Sequence, residues 1–118
     1  MPPLIHRLFW IWDGEFCGTI SLRFQSGTEE LPPHVSGHVG YSVVPWKQRH
    51  GYATEGARAA LDFAFREVSI QRVVSLIRID NTASERVARR LGGRQGTTID
   101  FLGGATLVYV YHPPETDA

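Results

Sequence analysis

The residues best suited to chemistry in this sequence are 48–53, which stand between an apolar stretch and the longest helical pattern. The first amides of a helix have no partners inside it, and the helix dipole adds partial positive charge there. Gly51 lets the backbone take strained angles close to a ligand, and Ala53 keeps the next approach small. Such a loop suits a phosphate or pyrophosphate, with charge added by Arg49 and His50. An ordinary strand-to-helix turn is the alternative interpretation.

The start of the next helical pattern is a second candidate element, because Asn81 and Ser84 stand at its entrance. The tetrapeptide Thr82-Ala83-Ser84-Glu85 fits a capping box. In that arrangement the Thr82 hydroxyl and the Glu85 carboxylate satisfy free backbone amides. A serine in a first helical turn usually satisfies local amides too, so its position alone does not make Ser84 a chemical group.

The elements that must hold these two segments follow from the hydrophobic pattern. Apolar and branched residues between turn signals predict strands, and apolar residues at helical spacing predict helices. The predicted strands are residues 8–12, 16–24, 38–44, 70–79, 97–101 and 106–111, and the predicted helices are residues 54–68 and 83–91. Asp13-Gly14 and Gly103-Gly104 mark hairpin turns.

The order of these elements predicts the fold class. A strand, a helix and a strand over residues 38–79 imply a parallel crossover. We therefore expect an α/β (α+β) domain with a mixed, mostly antiparallel sheet, a central parallel strand pair and packed helices. The only linker-like stretch, residues 25–37, is too short to separate two domains, so residues 1–118 form one domain.

Composition narrows the function classes. Twelve Lys and Arg balance twelve Asp and Glu, which argues against a nucleic-acid partner, since such binding needs surplus cations. The single cysteine, Cys17, excludes an internal disulfide and a thiolate zinc cluster, and its apolar surroundings predict a core residue. No apolar run is long enough for a membrane span, and Met1-Pro2-Pro3 does not begin a signal peptide. A soluble cytoplasmic protein without a bound metal is expected.

The pattern Gln48-x-x-Gly51-x-Ala53 matches the Gln/Arg-x-x-Gly-x-Gly/Ala signature of the GNAT superfamily of N-acetyltransferases, which this chain resembles. Three segments in order resemble its Rim-type, ribosomal-protein N-acetyltransferase-like subgroup. They are Gly40-Tyr41-Ser42-Val43-Val44-Pro45, Gly51-Tyr52-Ala53-Thr54-Glu55, and Asn81-x-x-Ser84-x-x-Val87-x-x-x-Leu91-Gly92. The resemblance covers residues 38–93 well and the flanking hairpins loosely.

This resemblance implies acetyl-coenzyme A as the cofactor and a set of residues that hold it. Main-chain amides near the first helix would hold the pyrophosphate, and the backbone of the third strand would pair with the pantetheine arm in a gap beside the strand of residues 70–79. Asn81 would hydrogen-bond that arm. The implied cofactor-binding residues are Val43, Val44, Gln48, Arg49, His50, Gly51, Tyr52, Ala53, Thr54 and Asn81.

The chemistry implied by the resemblance is direct attack of a primary amine, on a protein N-terminus or a small molecule, on the thioester. Many relatives use a tyrosine as the acid where this chain has Ala88, so Ser84 is the candidate proton donor. His38 is the candidate general base, because relatives often carry a carboxylate there; the alternative is a hydrogen-bonded strand histidine.

The chain departs from the family pattern at its start. It begins almost at the first hairpin, whereas the family has a strand and two helices before this hairpin that form much of the acceptor site. The resemblance therefore leads us to expect a domain without these elements. An uncovered apolar surface and an exposed sheet edge predict a homodimer. The alternative to an enzyme is a non-catalytic coenzyme A-binding or assembly module.

Overall fold

The computed structural model describes residues 3–114. The six strands in this range are β1 (Leu4–Trp12), β2 (Phe16–Gln25), β3 (Val39–Val43), β4 (Val73–Arg78), β5 (Arg94–Phe101) and β6 (Gly104–Tyr111). Its two α-helices are α1 (Tyr52–Arg66) and α2 (Thr82–Arg90), and a short 3-10 helix covers Pro45–Lys47. Every predicted strand and helix is therefore present, with ends displaced by a few residues.

The strands form two antiparallel sheets with the orders β1-β2-β3 and β4-β6-β5. The predicted parallel pair of central strands is not confirmed, because every strand ladder among the described residues is antiparallel. β6 pairs with one edge of β4, and β3 meets β4 only at an isolated bridge between Gly37 and Ser75. Beside this bridge, the amide of His38 donates to the carbonyl of Val74 at 2.7 Å. A Cβ at Gly37 would lie 2.7 Å from the Val74 carbonyl oxygen, so only glycine allows this contact.

Helix α1 packs on the first sheet through its small residues. Ala57 and Ala60 are buried against Ile20 of β2, whereas Leu61 and Ala64 enter the larger core with residues of β4 and β6. Small side chains let a helix approach a sheet closely, which fixes the start of α1 relative to the end of β3. The core thus holds together the elements that carry the two candidate segments.

The outer face of β1 is apolar and exposed. Leu8, Trp10 and Trp12 expose 54%, 67% and 62% of their surface, and the ring of Trp10 contacts that of Phe16 at 5.6 Å between centroids. β1 is also the end strand of its sheet, so one of its main-chain edges has no strand partner among the described residues.

Several predictions about composition have different outcomes. Cys17 is fully buried on β2, which confirms the core prediction. No helix within residues 3–114 is long and apolar enough to cross a membrane. The cytoplasmic location, the lack of a nucleic-acid partner and the missing first strand and helices stay predictions. Met1 and Pro2, on which the leader prediction partly depends, lie outside the described residues.

Candidate functional site

A groove of about 590 Å³ lies between the end of β3, the start of α1 and the side of α2. It brings together most of the predicted cofactor-binding residues and one predicted catalytic residue. Those that line it are Val43, Gln48, Arg49, Gly51, Tyr52, Ala53, Thr54, Asn81 and Ser84. Val44, His50 and His38 do not. Segments more than thirty residues apart in the sequence therefore form one site.

A second cavity, of about 680 Å³, lies at the other end of α1. It is larger, but its charged lining residues are Glu29, Glu67 and Arg7, which leave an excess of negative charge, and none of the predicted site residues line it. A cavity with these charges is poorly suited to an anionic ligand. We therefore take the groove at the start of α1 as the candidate functional site.

The loop before α1 has the backbone shape of an anion site. Arg49 and Gly51 both adopt left-handed conformations, with φ of 67° and 78°. Gly51 is the N-cap of α1 and supplies no side-chain hydrogen bond. Within the described chain, the first amide that bonds back to this turn is that of Glu55, which donates to the Gly51 carbonyl at 3.0 Å. The amides of residues 52–54 are therefore available to a ligand.

Asp13, at the tip of the first hairpin, anchors this loop, and the sequence interpretation had treated it only as a turn residue. Its carboxylate accepts hydrogen bonds from Lys47 Nζ at 3.0 and 3.1 Å and from the Tyr52 hydroxyl at 2.6 Å. The Tyr52 hydrogen bond, then that of Lys47, holds the pKa of Asp13 well below its usual range. Lys47 and Tyr52 flank the loop in the sequence, so Asp13 holds both of its ends. A turn aspartate gives no sign in the sequence of this distant contact.

The peptide groups of β3 point alternately toward β2 and away from it. Val44 donates its N–H to Cys17 O at 2.8 Å, and its carbonyl accepts from Lys47 N at 3.0 Å. Both peptide groups of Val44 are occupied, so the predicted pairing of Val44 with pantetheine is not supported. By the antiparallel alternation, the peptide groups of Tyr41 and Val43 point away from β2.

The Val43 carbonyl already has a partner, because Gln48 Nε2 donates to it at 3.0 Å. Gln48 therefore joins the end of β3 to the loop, which is a structural role for the first residue of the signature. The N–H of Val43 and both peptide groups of Tyr41 face the side where β3 and β4 separate. An extended ligand in this gap would find these groups as hydrogen-bond partners.

The start of α2 differs from the predicted capping box. The N-cap is Asn81 rather than Thr82, and its Oδ1 accepts from the Ser84 amide at 3.2 Å. The carbonyl of Ser84 accepts a 2.8 Å hydrogen bond from the hydroxyl of Tyr41, across the groove. Tyr41 is half-buried, and this burial raises its pKa to about 12. It therefore remains a hydrogen-bond donor at neutral pH.

His38 does not have the environment of a general base. It is 2% exposed, its Nδ1 accepts from the Val74 amide at 2.9 Å, and its Nε2 donates to the Glu29 carbonyl at 2.9 Å. Burial lowers the pKa of the imidazole below its usual value. The only lone pair of the neutral ring is occupied, so His38 fixes the loop of residues 25–37 to β4.

Three further residues with side chains suited to binding or chemistry do not line the groove. The ring of His50 contacts that of Tyr52 at 5.4 Å, outside the groove lining. Trp46, next to the groove in sequence, is 71% exposed and does not line it. Burial raises the pKa of the Cys17 thiol, which therefore stays protonated and is a poor nucleophile.

The charged residues that line the groove are all basic. Four basic residues line it, and no acidic residue is found among the described residues of its lining. They are Lys47, Arg49, Arg86 and Arg90. Although the whole chain is neutral, this surface is electropositive. Free helix amides, an electropositive lining and unpaired strand groups together fit a ligand with a diphosphate and an extended amide arm, as coenzyme A has.

An antiparallel pair of sheets that separate beside a loop-to-helix anion site is the fold of an acetyltransferase domain. The chain belongs to the acetyltransferase (GNAT) domain family, whose model matches residues 5–94. The predicted superfamily is thereby confirmed.

Two similar proteins align over most of this chain. YkkB of Bacillus subtilis (strain 168), described as uncharacterized, is 34% identical over 99 residues, which are 81% of this chain and 54% of that protein. An acetyltransferase structure from Agrobacterium tumefaciens str. C58 has a TM-score of 0.75 and 28% identity, covering 92% of this chain and 61% of that one. This chain thus spans little more than half the length of these relatives.

Two further structures share the fold at lower identity. RimL, a ribosomal L7/L12 alpha-N-protein acetyltransferase in complex with coenzyme A, has a TM-score of 0.65 at 23% identity, over 83% of this chain and 56% of RimL. A spermidine N-acetyltransferase SpeG chimera from Vibrio cholerae has a TM-score of 0.71 at 16% identity, over 91% of this chain and 66% of that one. The Rim-type subgroup is therefore one of several that share this fold.

Proposed function

We propose that this chain transfers an acetyl group from acetyl-coenzyme A to a primary amine by direct attack. The observation that supports this most is the start of α1. Within the described part of the chain, the amides of residues 52–54 have no hydrogen-bond partner and open into a groove whose lining contains no carboxylate. A diphosphate is the part of the donor that such amides bind best. Family membership supports the same chemistry.

We assign some residues of the groove to cofactor binding and others to the reaction. Arg49, Gly51 and the main-chain amides of residues 52–54 hold the diphosphate. Gln48 joins the loop to the end of β3, and Asp13 keeps the loop in place through Lys47 and Tyr52. The N–H of Val43 and the side-chain amide of Asn81 hold the pantetheine arm. The Asn81 Nδ2 group has no hydrogen bond within the described residues, while its Oδ1 caps α2.

The thioester supplies an electrophilic carbonyl, and the chain supplies polarisation and a proton. An outward N–H of β3, that of Val43 or Tyr41, stabilises negative charge on the carbonyl oxygen. The amine nitrogen forms the new C–N bond, and the C–S bond of the thioester breaks. The Ser84 hydroxyl, in the groove lining, donates a proton to the leaving thiolate and takes up the proton that the attacking nitrogen loses. The amine arrives uncharged from solvent, because His38 is occupied elsewhere.

The acceptor is proposed to be a protein N-terminus or a small-molecule amine. RimL and SpeG, which share the fold, act on these two classes by their names. The test follows thiol release from acetyl-coenzyme A in the presence of short peptides with free N-termini and of polyamines. Cys17, the only thiol of the chain, is buried and gives little background. Release that depends on an amine is expected, and none with any amine would contradict the enzyme.

A Ser84→Ala variant tests the proton donor separately. It should lower kcat by about a hundredfold or more, the range for a lost general acid, and leave coenzyme A affinity unchanged. Tight binding of coenzyme A without turnover by the wild type would instead support the alternative, a non-catalytic coenzyme A-binding module.

Assembly as a homodimer is part of the proposal. The apolar outer face of β1 and its unpaired edge offer a self-complementary surface. Light scattering should give twice the mass of the 13.2 kDa chain, and Trp10→Glu should reduce this to one chain. A wild type that stays monomeric at all concentrations would contradict the dimer.

A further inference from the structure

Two arginines of α2 line the groove and form neither a side-chain hydrogen bond nor an ion pair with any other described residue. Arg86 and Arg90 are four residues apart, so they lie on one face of the helix, and both are exposed. Neither forms an ion pair within residues 3–114, whereas Arg89 between them contacts the carboxylate of Glu85 at 3.6 Å and does not line the groove. The face of α2 that carries Arg86 and Arg90 is therefore the one that meets a ligand.

The two sides of the groove offer different chemistry to an anion. On the α1 side the helix start supplies unpaired amides and a favourable dipole, while the charge of Lys47 is occupied by Asp13. Arg90 is the last residue of α2, where the helix dipole is unfavourable to an anion and no free amides face outward. A phosphate on this side needs side-chain cations. Arginine suits it, because the guanidinium binds phosphate oxygens in pairs.

Coenzyme A carries two kinds of phosphate, a bridging diphosphate and a 3′-phosphate monoester on the ribose. The start of α1 accounts for the diphosphate and leaves the monoester without a site. We propose that Arg86 and Arg90 bind the 3′-phosphate and make the groove selective for coenzyme A over its 3′-dephospho form. This inference rests on the proposed function, because it assigns a further part of the same ligand.

The charges of the 3′-phosphate and of the two arginines support binding of the monoester on the α2 side of the groove. A phosphate monoester carries close to two negative charges at neutral pH, and two guanidinium groups at one site would neutralise them. Because no described groove residue is acidic, the full attraction of both cations is available to the ligand. The contacts are exposed, so their strength should fall with added salt.

The test measures the binding of coenzyme A and of 3′-dephospho-coenzyme A by calorimetry, in wild type and in the double variant Arg86→Gln/Arg90→Gln. The wild type should bind coenzyme A at least roughly tenfold more tightly, the effect of one or two charge-assisted hydrogen bonds. The double variant should lose this preference and keep its affinity for the dephospho form. Arg89→Gln, which removes the same charge from the same helix outside the groove, should retain the preference.

The outcomes separate this inference from the proposed function. Equal affinity of the wild type for the two ligands, or an equal loss for both in the double variant, would overturn the assignment and leave the enzyme intact. If the wild type bound neither coenzyme A nor its 3′-dephospho form, both the arginine assignment and the proposed function would be contradicted. Arg86→Lys/Arg90→Lys, which keeps the charge and loses the paired geometry, should fall between wild type and the glutamine variant, and this provides a check if the latter folds poorly.

Discussion

The hydroxyl of Tyr41 on β3 donates a 2.8 Å hydrogen bond to the main-chain carbonyl of Ser84 on α2. This bond joins the two walls of the groove directly, although 43 residues separate its partners in the sequence. Because Asn81 already fixes the Ser84 amide, both peptide groups of Ser84 have partners. The position of the proposed proton donor is thus set by a strand residue.

Tyr41→Phe should weaken this link without opening a cavity. We expect a loss of about 1 kcal/mol in the free energy of unfolding, typical of one hydrogen bond, measured by urea denaturation. Because Ser84 loses its fixed position, kcat should fall by roughly tenfold while KM for acetyl-coenzyme A changes little. Tyr109→Phe is the matched control, since its hydroxyl bonds the Glu85 side chain. An unchanged kcat in Tyr41→Phe would contradict the positioning role.

Asp13→Asn should weaken ligand binding without contact to the ligand. The Asp13 carboxylate holds Lys47 and Tyr52, so its neutral replacement should loosen the loop and lower coenzyme A affinity severalfold. The control is Asp62→Asn, whose carboxylate pairs only with exposed Arg66 on α1.

The Asp13 carboxylate should make the stability of the fold depend on pH. Because the pKa of Asp13 is depressed in the fold, its contribution is complete above the ordinary value and is lost as pH falls below about 4. The stability of wild type should therefore drop more steeply there than that of Asp13→Asn. Parallel curves for the two proteins would contradict the ion-pair anchor.

Gly51→Ala should affect binding and stability together. The left-handed conformation at Gly51 costs an alanine about 1–2 kcal/mol, although no atom blocks the new Cβ within 4 Å. Affinity for coenzyme A should fall as well, because the methyl group would lie beside the free amides. Gly103→Ala is the control, since it has a similar φ of 81° in the turn between β5 and β6, away from the groove. If both variants bound equally well, the diphosphate site would lie elsewhere.

His38→Gln should show whether His38 contributes to stability or acts as the general base. It disturbs the hydrogen bonds to Val74 and Glu29, so the free energy of unfolding should drop by about 1–3 kcal/mol. The kcat of the folded fraction should stay within a few fold, whereas loss of a general base costs about a hundredfold or more. A collapse of kcat at full stability would restore the base role.

Protonation of His38, like its replacement by Gln, should lower the free energy of unfolding. Its pKa is lowered in the fold, so the stability that it provides is complete above the ordinary value of about 6.5 and falls as pH drops below that value. Urea denaturation between pH 7 and 5 should show this decline, and it should be smaller in His38→Gln.

Local patterns were enough to predict the elements and to single out the loop before α1 as a candidate anion site, whereas the individual cofactor-binding residues were named from the family resemblance. The alternation of β1 and β2, the helical spacing of Ala57, Ala60, Leu61 and Ala64, and the glycine turn before α1 each depend on neighbours along the chain. Gly51 also signals its left-handed conformation by its type alone. These features needed no knowledge of distant contacts.

The features that the sequence did not reveal depend on distant contacts or on backbone direction. Val44 and Val43 are identical in type, yet only the peptide direction, set by pairing with β2, decides which of them faces the gap. The capping box was assigned one residue too late, because Asn and Thr are similar caps. The parallel pair was not confirmed, since β3 and β4 form ladders with β2 and β6 rather than with each other.

The separation of β3 from β4 also affects the stability of the whole chain. The isolated bridge at Gly37 and Ser75 is the only strand pairing between the two sheets that the described residues contain. A molecule that lies between them adds contacts to both, and it does so only in the native state. Saturation with coenzyme A should then shift the melting temperature upward, by an amount equivalent to roughly 2.7 kcal/mol at a hundred times its Kd. Supply of the donor would thereby influence how long each copy survives proteolysis.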